Sequence, residues 1–428
     1  MRTRCFPDIL LRVNTGRITY FAKYQKTLTP LGMPTAVLDL DLSTLPSQIP
    51  VPAPYTKAYI LIRYKGKPVG KMWIPVQNGQ LTTAHIYPEI IKTVSPELTK
   101  AWLHEYLQWD EKAFNDPTPI TATVAVCTRN RTADLKRCLD ALMQLPDNGQ
   151  QFMVVDNCPT TNETQQLVAN YPRVQYVLEA NPGLDIARNT ALRKSTTEIV
   201  AFIDDDAVPD PNWLRALLPN FNDSRVLCVT GLTMPLELET EAQEAFESYS
   251  PFCKGFKRKV YNSEKNNPLV AGPIGAGANM ALRRSVLELV GQFDEALDAG
   301  TPTESGGDHE FFVRILLAGY EIIYEPEALN WHRHRRTWKE TIKAIRGYGI
   351  GVYAFWTRLY VVEKERGVLR FTFGWFFGQQ LPNIIRSVFR RPRSHPLKLL
   401  LAELRGCFLG PWKYFASRRR LKRIQNPV

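Results

Sequence analysis

The chain has 428 residues, 44% hydrophobic and 22% charged, with a formal net charge of +12. That is enough apolar material for a full core and for two or three domains. Its seven cysteines form no C-x-x-C pair, so neither a zinc site nor a disulfide framework is expected, and a reducing cytoplasm fits best.

The N-terminus carries Arg2 and Arg4 but no uninterrupted apolar core, so no secretory signal is expected. No stretch reaches the roughly 18 apolar residues of a spanning helix. The nearest, 371–385, is broken by Gln379, Gln380, Pro382 and Asn383. Charge is uneven. From Trp331 to Val428 there are 22 Lys/Arg against 4 Asp/Glu, a net of +18, which leaves −6 for residues 1–330. The basicity belongs to the C-terminal part.

Residues 1–116 read as a separate unit. Ala58 to Tyr64 is strand-like, Lys65-Gly66-Lys67-Pro68 turns the chain, and Val69 to Val76 returns it as a hairpin. Asn78-Gly79 is a further turn signal. Pro88 to Trp109 has helical spacing, with Leu98, Trp102, Tyr106 and Leu107 near one face. No catalytic constellation falls here, and the unit reads as an accessory packing domain. Asn115-Asp116-Pro117-Thr118-Pro119 reads as a linker.

From residue 121 strands and helices alternate. Strands are expected at 123–127, 151–155, 174–178 and 198–203, and helices at 133–143, 163–170 and 185–194. Such alternation predicts a mainly parallel sheet covered by helices on both faces. Right-handed crossovers bring the strand C-terminal ends to one edge, where ligands bind. Thr128 to Arg131, Asp156-Asn157 and Asp204 to Asp206 therefore meet in space. The strand Ile199 to Ile203 ends in Asp204-Asp205-Asp206, and Pro209 and Pro211 follow. Three adjacent carboxylates are tolerable in water, as a solvated acidic turn, or around a hard divalent cation that takes oxygen ligands. Asp156 can accept an N–H from a nucleobase edge or simply form a turn or cap. Arg188, one turn into its helix, can reach a diphosphate or lie on the surface.

The series Val-Ala-Val-Cys-Thr-Arg-Asn-Arg (124–131), Val-Val-Asp-Asn (154–157), Asn-Pro-Gly-Leu-Asp-Ile-Ala-Arg-Asn (181–189) and Phe-Ile-Asp-Asp-Asp (202–206) resembles family 2 glycosyltransferases of the GT-A fold. It continues with Gly275 to Arg284, Gly291-Gln-Phe-Asp294 and Gly306-Gly-Asp-His-Glu-Phe-Phe-Val-Arg314, so the resemblance covers about residues 121–335. It implies that Thr128, Arg129 and Asp156 hold the nucleotide base and that Arg188 lies near the nucleotide. It implies that Asp204, Asp205 and Asp206 hold ribose and the metal on the diphosphate. Asp206 and Asp204 are the expected ligands of Mg²⁺ or Mn²⁺, with the register uncertain by one residue.

Asp308 and Glu310 open an apolar helix, where Asp308 is well placed as an N-cap. By resemblance the first acid is the general base, so Asp308 is expected in that role with Glu310 as fallback. A carboxylate suits it particularly if a dry site raises its pKa. After a strand-like Tyr320 to Tyr324, His332 and His334 would point to one side of an extended stretch. Either can complete a metal shell, or both belong to a basic loop.

The tail is aromatic and basic. Leu397, Leu400, Leu401, Leu404 and Phe408 fall on one helical face, and Arg418-Arg419-Arg420 and Lys422-Arg423 close the chain. This fits binding in the plane of an anionic bilayer, or apolar faces that complete the catalytic core.

The expected architecture is α/β of GT-A type. A small N-terminal α+β accessory domain (1–116) precedes the catalytic domain (117–338), and a helical, basic, amphipathic region follows (339–428). The expected activity is metal-dependent inverting transfer from a nucleotide-diphosphate sugar, with UDP-sugars the commonest family donors, to a lipid-linked or polysaccharide hydroxyl. The expected place is the inner face of the cytoplasmic membrane. The rivals are a non-catalytic carbohydrate-binding scaffold and a sugar nucleotidyltransferase. The latter needs a Gly-rich loop after the first strand, and 127–135 holds no glycine. Nucleic acid is not an expected partner, since no RNA- or DNA-binding motif accompanies the charge.

Overall fold

The computed structural model describes residues 11–14, 17–20, 34–93, 95–107, 120–389, 391 and 394–425. The expected linker at 115–119, the 116/117 boundary, Trp109 and the N-terminal arginines lie outside the described residues.

The N-terminal sheet contains β1 (Leu11–Asn14), β2 (Arg17–Tyr20), β3 (Thr35–Asp41), β5 (Lys57–Tyr64) and β6 (Lys67–Pro75), in the order β1-β2-β3-β5-β6. The short strands β4 (Gln48–Pro50) and β7 (Gln80–Thr82) pair separately. The β5–β6 hairpin turns at Lys65 and Gly66, both with positive φ, as a two-residue hairpin loop requires. Where one helical stretch was expected, two helices occur, Thr83–Thr93 and Ser95–Tyr106.

The second sheet has nine described strands. These are β8 (Ala122–Thr128), β9 (Gln151–Asn157), β10 (Val174–Glu179), β11 (Ile199–Ile203), β12 (Ala207–Pro209), β13 (Val226–Pro235), β14 (Lys259–Tyr261), β15 (Asn279–Arg283) and β16 (Glu321–His332). Their order is β10-β9-β8-β11-β15-β13-β16-β12, with β14 on β16. The run β10-β9-β8-β11 is parallel, as is β13 with β16. β15 enters antiparallel between β11 and β13. Val124 and Val126 face helix Thr132–Leu142 through Leu135, Leu139 and Leu142. Ala125 faces the other side, with Ala187 and Ala191 of helix Leu184–Lys194. Both faces are therefore covered, and each fully buried aliphatic or aromatic side chain adds about 1.5–3 kcal/mol.

β16 differs from expectation. A strand was expected only near Tyr320 to Tyr324, before a basic loop, but the strand runs on to His332. Pairing with β13 jumps from Gly231↔Glu325 to Leu232↔Leu329, so a bulge absorbs Pro326. The Asn279 side-chain amide donates to the Leu232 and Ala328 carbonyls at 2.9 and 2.8 Å and closes the gap.

The tail folds back on the unit built around the second sheet. Helix Trp338–Val361 packs along helix Leu397–Gln425, and a Cβ at Gly349 or Gly406 would collide with the facing backbone. The tail residues expected on one face are divided: Leu400 is buried, while Leu401 and Phe408 are exposed. A sequence boundary at 338/339 falls one residue into the first of these helices. No described helix is long and apolar enough to cross a membrane.

Candidate active site

Strand ends β8, β9 and β11 converge on one edge of the second sheet. Thr128, at the end of β8, donates to Asp205 Oδ2 at 2.7 Å. Arg129 Nε donates to the Cys158 carbonyl at 3.1 Å, tying the β8 and β9 exits together. Asp156 is wholly buried. Its Oδ2 accepts from the Tyr176 hydroxyl at 3.0 Å, while Oδ1 has no hydrogen-bond partner among the described residues. Burial raises this carboxyl above its ordinary range. A buried oxygen without a donor is costly, and an N–H on a ligand would relieve it.

The three aspartates after β11 diverge. Asp204 faces a cavity of about 910 Å³ whose wall also includes Arg131, Arg188, Asp308, His332 and His334. Asp205 turns to Thr128 and to Arg131, whose Nη1 lies 2.5 Å from Oδ1. Burial and the neighbouring Asp206 outweigh Arg131 and push Asp205 up to about 7. Burial alone would raise Asp206 too, but His332, Arg131 and Arg335 hold it well below the carboxylate range. Arg131 Nη2 is 2.6 Å and Arg335 Nη1 3.2 Å from Asp206 Oδ2.

β12 and β16 bring the histidine in. They pair Ala207 opposite His332, so the ring reaches back to the carboxylates that precede β12. His332 Nε2 lies 3.0 Å from Asp206 Oδ1 and 3.7 Å from Asp204 Oδ2. Burial would lower its pKa, but the two aspartates raise it to about 9. Ligand atoms of Asp204, Asp206 and His332 all fall within 4.8 Å of one another. His332 Nδ1 is buried without a hydrogen-bond partner among the described residues, and the His332 ring is what Asp206 Oδ1 meets. Two hard oxygens and an imidazole this close together fit a divalent cation. His334 lies outside this group and its Nε2 meets Glu247 Oε2 at 3.1 Å instead.

Across the cavity, the cap of helix Gly307–Leu317 is Gly306, at φ 101°, where a Cβ would collide with the Gly351 backbone. Asp308, expected as the base with an N-cap as the alternative, lies in the cavity wall and accepts from the Gly277 N–H at 2.7 Å. Burial would raise its pKa, yet His309, Arg188 and the Gly277 and His309 N–H groups lower it, the reverse of the expected direction. Glu310 is buried away from the cavity, 2.7 Å from Arg314 Nε and 2.8 Å from Arg358 Nη1. Arg188 is buried, not a surface arginine, and bridges Asp185 at 2.9 Å and Asp298 at 2.7 Å. The structure also puts Asp298, Lys254 and Tyr348 in the cavity wall, and Glu247 directly behind it. No motif in the sequence pointed to these four.

Residues 123–291 match the family model for glycosyl transferase family 2. Over this segment, less than half of the chain, the sequence is similar to family 2 glycosyltransferases. Among curated relatives, the chain is 28% identical over 282 residues to a pre-mycofactocin glycosyltransferase of Mycobacterium tuberculosis, covering 64% of this chain and 55% of that protein. It is 26% identical over 243 residues to glycosyltransferase AglE of Haloferax volcanii, covering 55% of this chain and 73% of that protein. The chain thus spans about half the length of the first relative. A solved mannosyltransferase of Pyrobaculum calidifontis, in complex with GDP-Man and Mn²⁺, covers 77% of this chain and 83% of its own at 19% identity and a TM-score of 0.42.

Proposed function

We propose that this chain transfers a sugar from a nucleotide-diphosphate sugar to an acceptor hydroxyl, with a divalent cation, by single displacement and inversion at the anomeric carbon. One observation carries this reading. Asp204 and His332, from a cation-capable cluster, and the carboxylate Asp308 line the same cavity. Asp156 would accept a base N–H at its free Oδ1, a requirement that uracil meets through its imide. Thr128 and Arg129 flank that position. Asp204, Asp206 and His332 would hold the cation, which supplies positive charge where the leaving diphosphate becomes more negative. Asp308 would take the proton from the acceptor hydroxyl as its oxygen attacks. Its backbone donors fix the carboxylate's orientation and hold it ionised. The Asp185–Arg188–Asp298 bridge would keep one cationic side chain in the cavity wall, near the diphosphate. Nucleoside diphosphate release from a panel of nucleotide-sugars tests the reading.

The tail supports a setting for this activity. Helices Val368–Trp375 and Leu381–Val388 are joined through a wider turn at Phe376–Gln380. Leu369, Phe373, Phe377, Leu381, Ile385 and Phe389 recur every fourth residue and are all exposed. Phe408, Trp412 and Phe415 are exposed on the neighbouring helix. An apolar stripe on a strongly basic segment suits the plane of an anionic bilayer. We therefore read the protein as peripheral on the inner face of the cytoplasmic membrane, with a lipid-linked or growing polysaccharide acceptor. Phe373→Ser with Phe377→Ser should abolish sedimentation with vesicles containing phosphatidylglycerol. Unchanged sedimentation would remove the membrane from this reading.

A further inference from the structure

Helix Glu241–Tyr249 lies between the N-terminal sheet and the end of β16. Two of its carboxylates, one helical turn apart, are gripped from the N-terminal side. Thr35 and Lys57 bond Glu244. The Tyr59 hydroxyl donates to Glu247 Oε1 at 2.7 Å, and Lys71 Nζ donates to the same oxygen at 3.1 Å. The Thr35 N–H also donates to the Leu238 carbonyl at 2.8 Å, just before this helix. From the opposite side, Glu247 Oε2 meets His334 Nε2 at 3.1 Å, and the Gln243 amide donates to the His334 carbonyl at 3.1 Å.

The contacts continue to the cation-capable cluster. The His334 ring packs on Phe246 with centroids 4.6 Å apart and on Phe252 at 5.8 Å. The His332 ring packs on Phe252 at 5.1 Å and lies 5.8 Å from His334. A second tie reaches β12, the strand paired with the end of β16. Arg63 Nη2 lies 2.6 Å from Asp210, one residue past β12. Val37, Tyr59 and Leu61 share a core cluster with Val208, Leu329 and Trp331. The side chains of Glu247 and His334 are 3% and 1% exposed, so water cannot replace a lost partner.

We propose that Glu247, held by Tyr59 and Lys71, is a positioning residue for the cation site. It fixes the His334 ring, and the His334 and Phe252 rings in turn fix His332. The N-terminal sheet thereby sets the geometry of the cluster and is more than an accessory module. Groups behind metal ligands commonly change metal affinity by about 10–100-fold when removed. This inference rests on the reading that Asp204, Asp206 and His332 hold a divalent cation.

The test uses the full chain with Tyr59→Phe and Lys71→Met, singly and together. Free Mn²⁺ is measured by electron paramagnetic resonance in the presence of UDP, beside thermal unfolding. Imidazole ¹⁵N spectra of the metal-free proteins are recorded in parallel. The expected result is a folded double variant whose Mn²⁺ dissociation constant rises at least about tenfold, with displaced His332 ring resonances. Raising Mn²⁺ should then restore nucleoside diphosphate release. A folded variant with unchanged Mn²⁺ affinity and unchanged His332 resonances would overturn the proposal. If the double variant does not fold, Lys71→Met alone decides by the same two readouts. If wild type binds no Mn²⁺, the cation reading fails by itself. The His332 resonances then decide separately whether Tyr59 and Lys71 position that ring.

Discussion

Asp205 accepts from Thr128 and Arg131 and is pushed up to about 7, while the next residue, Asp206, is held well below the carboxylate range by His332 and two arginines. Nothing in Asp-Asp-Asp announces that division, because it depends on which carboxylate the β12–β16 pairing sets against His332. The sequence therefore left the register of the motif open by one residue. The same holds at Asp308, whose place in the chain suggested a helix cap. The positive φ of Gly306 moves the cap outside the helix and frees Asp308 to face the cavity. Asp308→Asn should lower transfer by at least about 100-fold while calorimetric donor binding stays within a few-fold of wild type. Full transfer in that variant would remove Asp308 as the base. Glu325 offers a separate check on the electrostatics. Burial raises its pKa from 4.5 to about 6. Below about 4.5 folded and unfolded states both hold the proton, so the group has little effect on stability. As pH rises through 6 the folded state must ionise a buried carboxyl, at a cost of roughly 2 kcal/mol. Glu325→Gln should therefore raise the melting temperature at pH 8 and leave it nearly unchanged at pH 4. Equal shifts at both pH values would contradict the assigned cause.

At the scale of elements, the parallel run β8 to β11 was legible because apolar strands alternate with helices of clear period. β16 was not, because Pro326 between two glutamates reads as a strand break. The bulge against Gly231 and the Asn279 bridge remove that break, and both depend on residues about 50 or 100 positions away in the chain. The missed half of the strand is the half that delivers His332. Helix packing in the tail was also partly hidden. Helical spacing identified the amphipathic segments, but not which face meets the protein. The contact at Gly349 and Gly406 decides this, since the two helices approach to backbone distance there. Gly406→Leu should destabilise the protein by about 1–3 kcal/mol or more, measured by urea unfolding. A stability change below about 0.5 kcal/mol would mean that the helices do not pack this closely.

Over the whole molecule, the excess charge of the last hundred residues marked the tail as distinct, but the tail has two faces. One buries Leu399, Leu400 and Tyr414, the last within the core of the second sheet, and the other presents the apolar stripe. The N-terminal unit carried no motif, and its ties to Glu244, Glu247 and Asp210 could not be read without the fold. Charge, stripe and cavity each support the proposed function, a cation-dependent transferase at a membrane surface. The most direct test incubates the purified chain and its Asp206→Ala variant with a panel of nucleotide-sugars, with Mn²⁺ or with EDTA, and measures nucleoside diphosphate release. The account predicts release from one donor that requires Mn²⁺ and disappears in the variant. Release that persists in both EDTA and Asp206→Ala would contradict it.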